Sequence, residues 1–467
     1  MKLDQHTAVG LSRLLEQREI SSVELLEHFI TRIAEVNPTV NAIVTFEPEG
    51  ARRCADAIDA KRLRGEPVGL LAGLPIAIKD VEAVRGMRTT YGSPLYSDFV
   101  PDYDSACVER LRAADAVIIG KTNTPEFALG SHTFNTVFGA TRNPWNTELS
   151  AGGSSGGAAA AVASGMVPFA DGSDFGGSLR NPASFNNLIG LRTSPGRIAR
   201  YPVHDAFAGF SVLGPIARSA ADAALLLTAM EGADPRDPWS VDSKKHDPNA
   251  SLERNFDGVR IAFSATLGGL PVDEEVANAT RTALSRLEAL GCVIEEAEPD
   301  LSDADLAFET LRALSMASQF GGLIKTKRQQ FKPSAIWNIE AGLALSAKTI
   351  ADAIAARTRL YHGMREFLNT YTFLVAPVSQ VLPFPVEFEY PTMIAGRAME
   401  NYLNWMRSCS RISMTGHPAI SMPGGFSAQG LPVGLQVVGR WRDEWSLLQL
   451  AHAMESVGEV ALRRPPI

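Results

Sequence analysis

The chain has 467 residues, 45% apolar and 21% charged, and its 44 basic against 52 acidic side chains leave a formal net charge of −8. This is an ordinary globular composition, and its acidic balance, without any long Lys/Arg run, argues against a nucleic-acid or anionic-membrane partner. The cysteines Cys54, Cys107, Cys292 and Cys409 are far apart and form no C-x-x-C pair, so neither a disulfide framework nor a metal site is expected.

The N-terminus, MKLDQHTAVGLSRLLEQ, reads as a polar-faced helix and not as a signal peptide. Residues 7–65 look helical: Ser21 and Ser22 are candidate caps, and Val23, Leu26, Phe29, Ile30 and Ile33 share one face. In residues 69–81 (GLLAGLPIAIKDV) a short strand is predicted after Pro75, ending at or near Lys79. VERLRAADAVIIGKTNTPEFA reads helix, then a buried strand, then a loop. The longest apolar run, Ala158 to Ala170, is too short to span a bilayer and contains Gly165 and Pro168. With the cysteine usage, that makes a cytoplasmic protein without a membrane partner the expectation.

Helix and strand alternate again at 219–231, 257–264, 273–290 and 291–296, and 301–370 is helical. TFLVAPVS (372–379), AISMPGGF (419–426) and PVGLQVVG (432–439) read as strands before a final helix, WSLLQLAHAMESV. This rhythm implies an α/β fold with a wide mixed sheet. The polar stretch 232–257 is an excursion, not a domain boundary.

Glycines frame serines at two places, GGSSGG (152–157) and DFGGS (174–178). Such clusters let backbone N–H groups close on a reacting group. The first matches the G-x-S-x-G elbow, centred on Ser154 or Ser155, but TRNPWNTELSA before it is not an apolar strand. His204, His362, His417 and His452 lie in ordinary surroundings, so no histidine recommends itself as a base. Neither the P-loop nor the dinucleotide-binding spacing is present. A serine without histidine takes a lysine as base, and Lys79, among Ile76, Ala77, Ile78 and Val81, has the apolar surroundings that would hold it neutral.

GLPIAIKD (73–80), GGSSGG (152–157) and GSDFGGSLRNPASFNNLIGLRTSPGR (172–197) together resemble the signature blocks of the amidase signature family. Weaker agreement covers TRNPWN, LGPIARSAADAALLL and GHPAISMPGGF with GLPVGLQVVG. The resemblance implies the amidase signature fold: a large mixed, mostly central β-sheet covered by helices on both faces. It implies one amidase domain over 1–467, made of an N-terminal helical segment (1–65), a signature core (70–230), a variable, substrate-shaping region (240–410) and a C-terminal core (411–467).

It further implies a Ser-cisSer-Lys triad. Ser178 is the nucleophile, Ser154 the relay after a cis peptide bond, and Lys79, 75 positions before Ser154, the base. Backbone N–H groups of Phe175, Gly176, Gly177 and Ser178 form the oxyanion hole. No cofactor or metal is implied.

The function so implied is hydrolysis of a small, apolar or aromatic acyl amide through an acyl-enzyme, with ammonia or an amine released. The expected partner is a small-molecule amide, with no nucleic acid and a homodimer as the candidate assembly. One alternative is the glutaminase subunit of a tRNA-dependent amidotransferase. Such subunits usually carry an Asp-Gln pair before Gly-Pro-Ile, where this chain has Ser211-Val212-Leu213, and some carry zinc-type cysteines absent here. The other is a non-catalytic protein on the same fold. The loop Ala128 to His132 and the aromatic residues Phe320, Trp337, Tyr402 and Trp405 are candidates for the acyl pocket, and Arg180 is expected to anchor its loop to carbonyls or to Asp171 or Asp174.

Overall fold

A computed structural model describes residues 2–240, 246–247 and 250–467. Its central element is one eleven-stranded sheet. Numbered along the chain, its strands are β1 Ile43–Phe46, β2 Pro75–Lys79, β3 Val117–Thr122, β4 Phe169–Asp174, β5 Ile189–Arg192, β6 Val212–Ala217, β7 Arg260–Phe263, β8 Val293–Glu296, β9 Phe373–Pro377, β10 Ala419–Phe426 and β11 Pro432–Val438. They lie side by side in the order β1-β3-β2-β4-β6-β5-β10-β11-β9-β7-β8. β3, β2 and β4 run parallel to one another, as do β9, β7 and β8, and the remaining pairings are antiparallel.

Both faces are covered because the strands are apolar on both sides. In β2, Ile76 and Ile78 point into one core and Ala77 into the opposite one; in β9, Phe373 and Val375 divide likewise from Leu374 and Ala376. The helix Ser22–Val40 starts where expected, on a capping box in which Ser21 and Glu24 exchange hydrogen bonds.

Most predicted elements are present within a few residues, with β10 spanning 419–426 and β2 ending on Lys79. Two differences stand out. The helical reading of 7–65 is interrupted by β1, which packs antiparallel on β3. β4, β5 and β6 (FADGSD, IGLR, VLGPIA) carry too many Gly, Pro, Ser and charged residues to read as strands. They are strands because they sit in mid-sheet, fully buried, where pairing on both edges overrides local preference. Part of the 232–257 excursion, 241–245 and 248–249, lies outside the described residues.

The helix Gly156–Ala163 is wholly buried, and its alanines pack on Ala77, Val117, Ala170 and Ile216 of the sheet. At Gly157 the approach is closest: a Cβ there would come within 2.3 Å of the Asn123 backbone nitrogen and 2.7 Å of the Ala42 carbonyl oxygen. Gly157→Ala is therefore expected to lower unfolding stability by about 1–3 kcal/mol, the usual cost of overpacking, measured by urea denaturation. An unchanged midpoint would contradict this packing.

Candidate active site

β2 and β4 are parallel neighbours, so their carboxyl ends open on the same edge of the sheet, the edge where α/β folds gather ligands. β2 ends on Lys79, and β4 ends on Ser173 and Asp174. The next turn carries Ser178 into the short helix Arg180–Phe185. Ser154 precedes the helix Gly156–Ala163, and the Gly153–Ser154 peptide is cis. The strand before the G-x-S-x-G match, Asn146–Ser150, pairs with Arg142–Asn143 and bridges Pro385 from Leu149, outside the central sheet, so the nucleophile-elbow context is absent.

Lys79 is completely buried. Its Nζ lies 2.7 Å from Ser154 Oγ, 2.8 Å from Ser155 Oγ and 3.0 Å from Ser173 Oγ. An ammonium donates to all three hydroxyls, whereas a neutral amine keeps two donors and accepts from the third. Burial pushes the Lys79 pKa down to about 7, against the opposing pull of Asp171 and Asp174. Asp171 Oδ1 accepts from the Lys79 backbone N–H at 2.8 Å, and burial raises that carboxyl to about 7. The neighbouring carboxylate is thus itself drawn toward its neutral form. Ser155 and Ser173 were not singled out as lysine partners; nothing in the sequence marks which of several serines turns inward.

Asp174 holds the serine loop. Its carboxylate accepts from the backbone N–H of Gly177 (2.8 Å) and Leu179 (3.2 Å), from Nε and a terminal nitrogen of Arg180 (3.0 Å each), and from Arg192 (3.1 Å). Burial alone would raise this carboxyl, but the two guanidinium charges outweigh it and hold it well below the usual carboxylate range. Arg180 continues to Gln436 Oε1 (2.6 Å), Ser413 Oγ (2.6 Å) and the Cys409 carbonyl (3.1 Å), so it anchors the loop as expected, to Asp174 and not Asp171.

Of the four N–H groups expected in the oxyanion hole, that of Gly177 is engaged by Asp174, and those of Phe175, Gly176 and Ser178 have no partner among the described residues. Gly177 has φ +125°, and a Cβ there would meet Cys409 Cβ at 2.5 Å; the loop needs glycine for its shape, not for its N–H.

A cavity of about 440 Å³ lies over this floor, lined by Ser154, Ser173, Phe175 and Ser178. Its walls are strongly aromatic, with Tyr91, Tyr96, Phe99, Phe127, Phe210 and Phe320, and they also carry Glu82, Arg200 and Arg312. Of the pocket candidates, Ala128 and Phe320 line it. Residues 129–132 line a separate small recess with Tyr402 and Trp405, which are core residues, and Trp337 is exposed with its ring edge-on to Tyr402. Segments 81–105 and 200–211 supply much of the wall and were missed, because loop residues converge only after folding.

The family model described as Amidase matches residues 24–448. The chain belongs to the amidase family. It is accordingly an enzyme acting on amide C–N bonds, and no longer a candidate scaffold. It is 38% identical to a glutamyl-tRNA(Gln) amidotransferase subunit of Moorella thermoacetica, over 100% of this chain and 99% of that one. Among solved structures it is similar to a bacterial aryl acylamidase of the amidase signature family, with TM-score 0.92 and 29% identity over 99% of both chains. It is also similar to the corresponding glutamyl-tRNA(Gln) amidotransferase subunit of Thermotoga maritima, with TM-score 0.80 and 28% identity over 97% of this chain and 95% of that one.

These relatives overturn the expectation of no nucleic-acid partner, since full-length relatives of this amidase are subunits of an enzyme named for a tRNA. Net charge misled here because it averages over a surface and says nothing about a partner chain that could meet the polyanion. No helix among the described residues is long and apolar enough to cross a membrane.

Asp174→Asn, which keeps the shape but removes the charge between Arg180 and Arg192, is expected to cost roughly 3–5 kcal/mol of stability in urea denaturation, as for other broken buried ion pairs. A loss under about 1 kcal/mol would contradict the role given to Asp174.

Proposed function

We propose that this amidase cleaves a carboxamide through an acyl-enzyme, with Ser178 as nucleophile, Ser154 as relay and Lys79 as base. The observation that carries the reading is the 2.7 Å contact between buried Lys79 Nζ and Ser154 Oγ in the floor of the cavity that Ser178 also lines. Ser178 Oγ attacks the carbonyl carbon while its proton passes to Ser154 and that of Ser154 to neutral Lys79. The oxyanion accepts from the free N–H groups of Phe175, Gly176 and Ser178. The relay then runs backwards, the leaving nitrogen takes the proton, the C–N bond breaks, and water releases the acid by the same path. We take residues 1–467 as one amidase domain of a cytoplasmic protein, since a single sheet runs from β1 to β11.

For the acyl donor, the full-length sequence relatives support the glutamine-hydrolysing subunit of a tRNA-dependent amidotransferase. A stand-alone hydrolase of amides with an apolar or aromatic acyl group is a second reading. It is supported by the aromatic wall, and by a TM-score of 0.92 to the aryl acylamidase against 0.80 to the Thermotoga maritima amidotransferase chain at nearly equal identity. Ser211, in the segment where such subunits usually carry an Asp-Gln pair, lines the cavity and carries no charge.

Ammonia release from glutamine, by the chain alone and with the other subunits of such an amidotransferase added, set against turnover of anilides, separates the two. Glutaminase activity that appears only with partners supports the first reading, and anilide turnover by the isolated chain the second. In either case Ser178→Ala should abolish turnover and labelling by a fluorophosphonate; retained activity would refute the nucleophile. Because Lys79 must be neutral and burial holds it at about 7, kcat/KM should rise with pH through that value and fall about tenfold per unit below pH 6. A profile flat from pH 5 to 8 would refute Lys79 as base.

A further inference from the structure

Arg312 stands out among the buried cations. It lies on the helix Ala304–Phe320, is 6% exposed, and lines the cavity that contains Ser178. Of the other buried guanidiniums, Arg180 and Arg192 share Asp174 and Arg197 pairs with Glu444, while Arg218, away from this cavity, donates to the carbonyls of Val162 and His6. Arg200, on another wall, donates to the Ser211 carbonyl and feels the charges of Glu82 and Asp237.

Arg312 forms no salt bridge among the described residues. Its Nε donates to Tyr402 Oη at 3.2 Å, and that hydroxyl donates to Asn338 Oδ1 at 3.1 Å. Its guanidinium carbon lies 5.5 Å from the ring centre of Phe175, 5.9 Å from Phe308 and 5.7 Å from Tyr402. The rings surround the guanidinium carbon, and of the three only Tyr402 accepts a hydrogen bond from it, at Nε. The two terminal nitrogens carry no hydrogen bond among the described residues. A guanidinium remains charged in any protein and presents a planar fork suited to a carboxylate.

We propose that Arg312 is a specificity-determining residue that seats a carboxylate of the substrate, so that the amidase acts on amides which also bear a carboxylate. The proposal rests on the serine-amidase reading of the same cavity, names its substrate class, and replaces the uncharged acyl group expected from the sequence. Arg312 stacks on Phe175, the first residue of the serine loop, so the anionic anchor and the scissile carbonyl share one chamber. The aromatic walls then enclose the chain between them. Glutamine meets this requirement, as does any ω-carbamoyl carboxylate short enough for the cavity.

The test compares ω-carbamoyl carboxylates having two to five methylenes with the neutral diamides of equal length, by ammonia release. The wild-type enzyme is expected to favour at least one acid over its diamide by tenfold or more in kcat/KM. Arg312→Gln should lower kcat/KM for that acid 10- to 100-fold, mainly through KM, while changing the diamide less than about threefold. Arg312→Lys should restore part of the preference. Equal losses on acid and diamide would mean that Arg312 only props Phe175, and a wild-type preference for the diamide at every length would overturn the proposal without any variant. Fluorophosphonate labelling of Ser178 in the same samples separates the failures: an unlabelled wild-type serine refutes the amidase reading, and a labelled serine with unchanged selectivity refutes only the role of Arg312.

Discussion

Asp174 is the fixed point on which the serine loop depends. One buried carboxylate draws in two backbone N–H groups and two guanidiniums, and through Arg180 it reaches Gln436, Ser413 and the Cys409 carbonyl, more than 200 residues away in the chain. A loop of glycines has many conformations available, and ordering it costs more backbone entropy than ordering any other sequence. The ion cluster supplies that ordering from below. It engages the Gly177 N–H, and the three remaining loop N–H groups carry no hydrogen bond among the described residues.

Lys79 is set by the opposite device. Asp174 is kept charged by two cations, whereas Lys79 is enclosed with hydroxyls and with a carboxyl, Asp171, that burial itself drives toward neutrality. The two groups end neighbouring strands, β2 and β4, yet their environments push their proton affinities in useful directions: an acid that stays ionised and an amine that can lose its proton near neutral pH. Placing both at the carboxyl ends of parallel strands also leaves the space above them free for a substrate.

That space combines aromatic walls with charges that are unevenly compensated. Arg200 has the charges of Glu82 and Asp237 in its field, and Arg312, beside Phe175 and the Tyr402 hydroxyl, forms no salt bridge among the described residues. The family relationship settles the bond that is acted on but spreads over enzymes with different acyl donors, so recognition has to be read from the walls.

The sequence alone determined a good deal. Alternating apolar residues placed β2 and the end of it at Lys79, the α/β rhythm announced a mixed sheet, and the glycine-framed serines marked the floor of the site. These are local signals, carried by neighbours in the chain. Only the tertiary structure decided that FADGSD and VLGPIA are central strands, that Ser155 and Ser173 join Ser154 around Lys79, that Gly177 gives its N–H to Asp174, and that Arg312, beside Phe175, pairs with no carboxylate among the described residues. Each depends on burial and on partners distant in the chain, and a group's charge, donor count and strand pairing are set by what encloses it after folding.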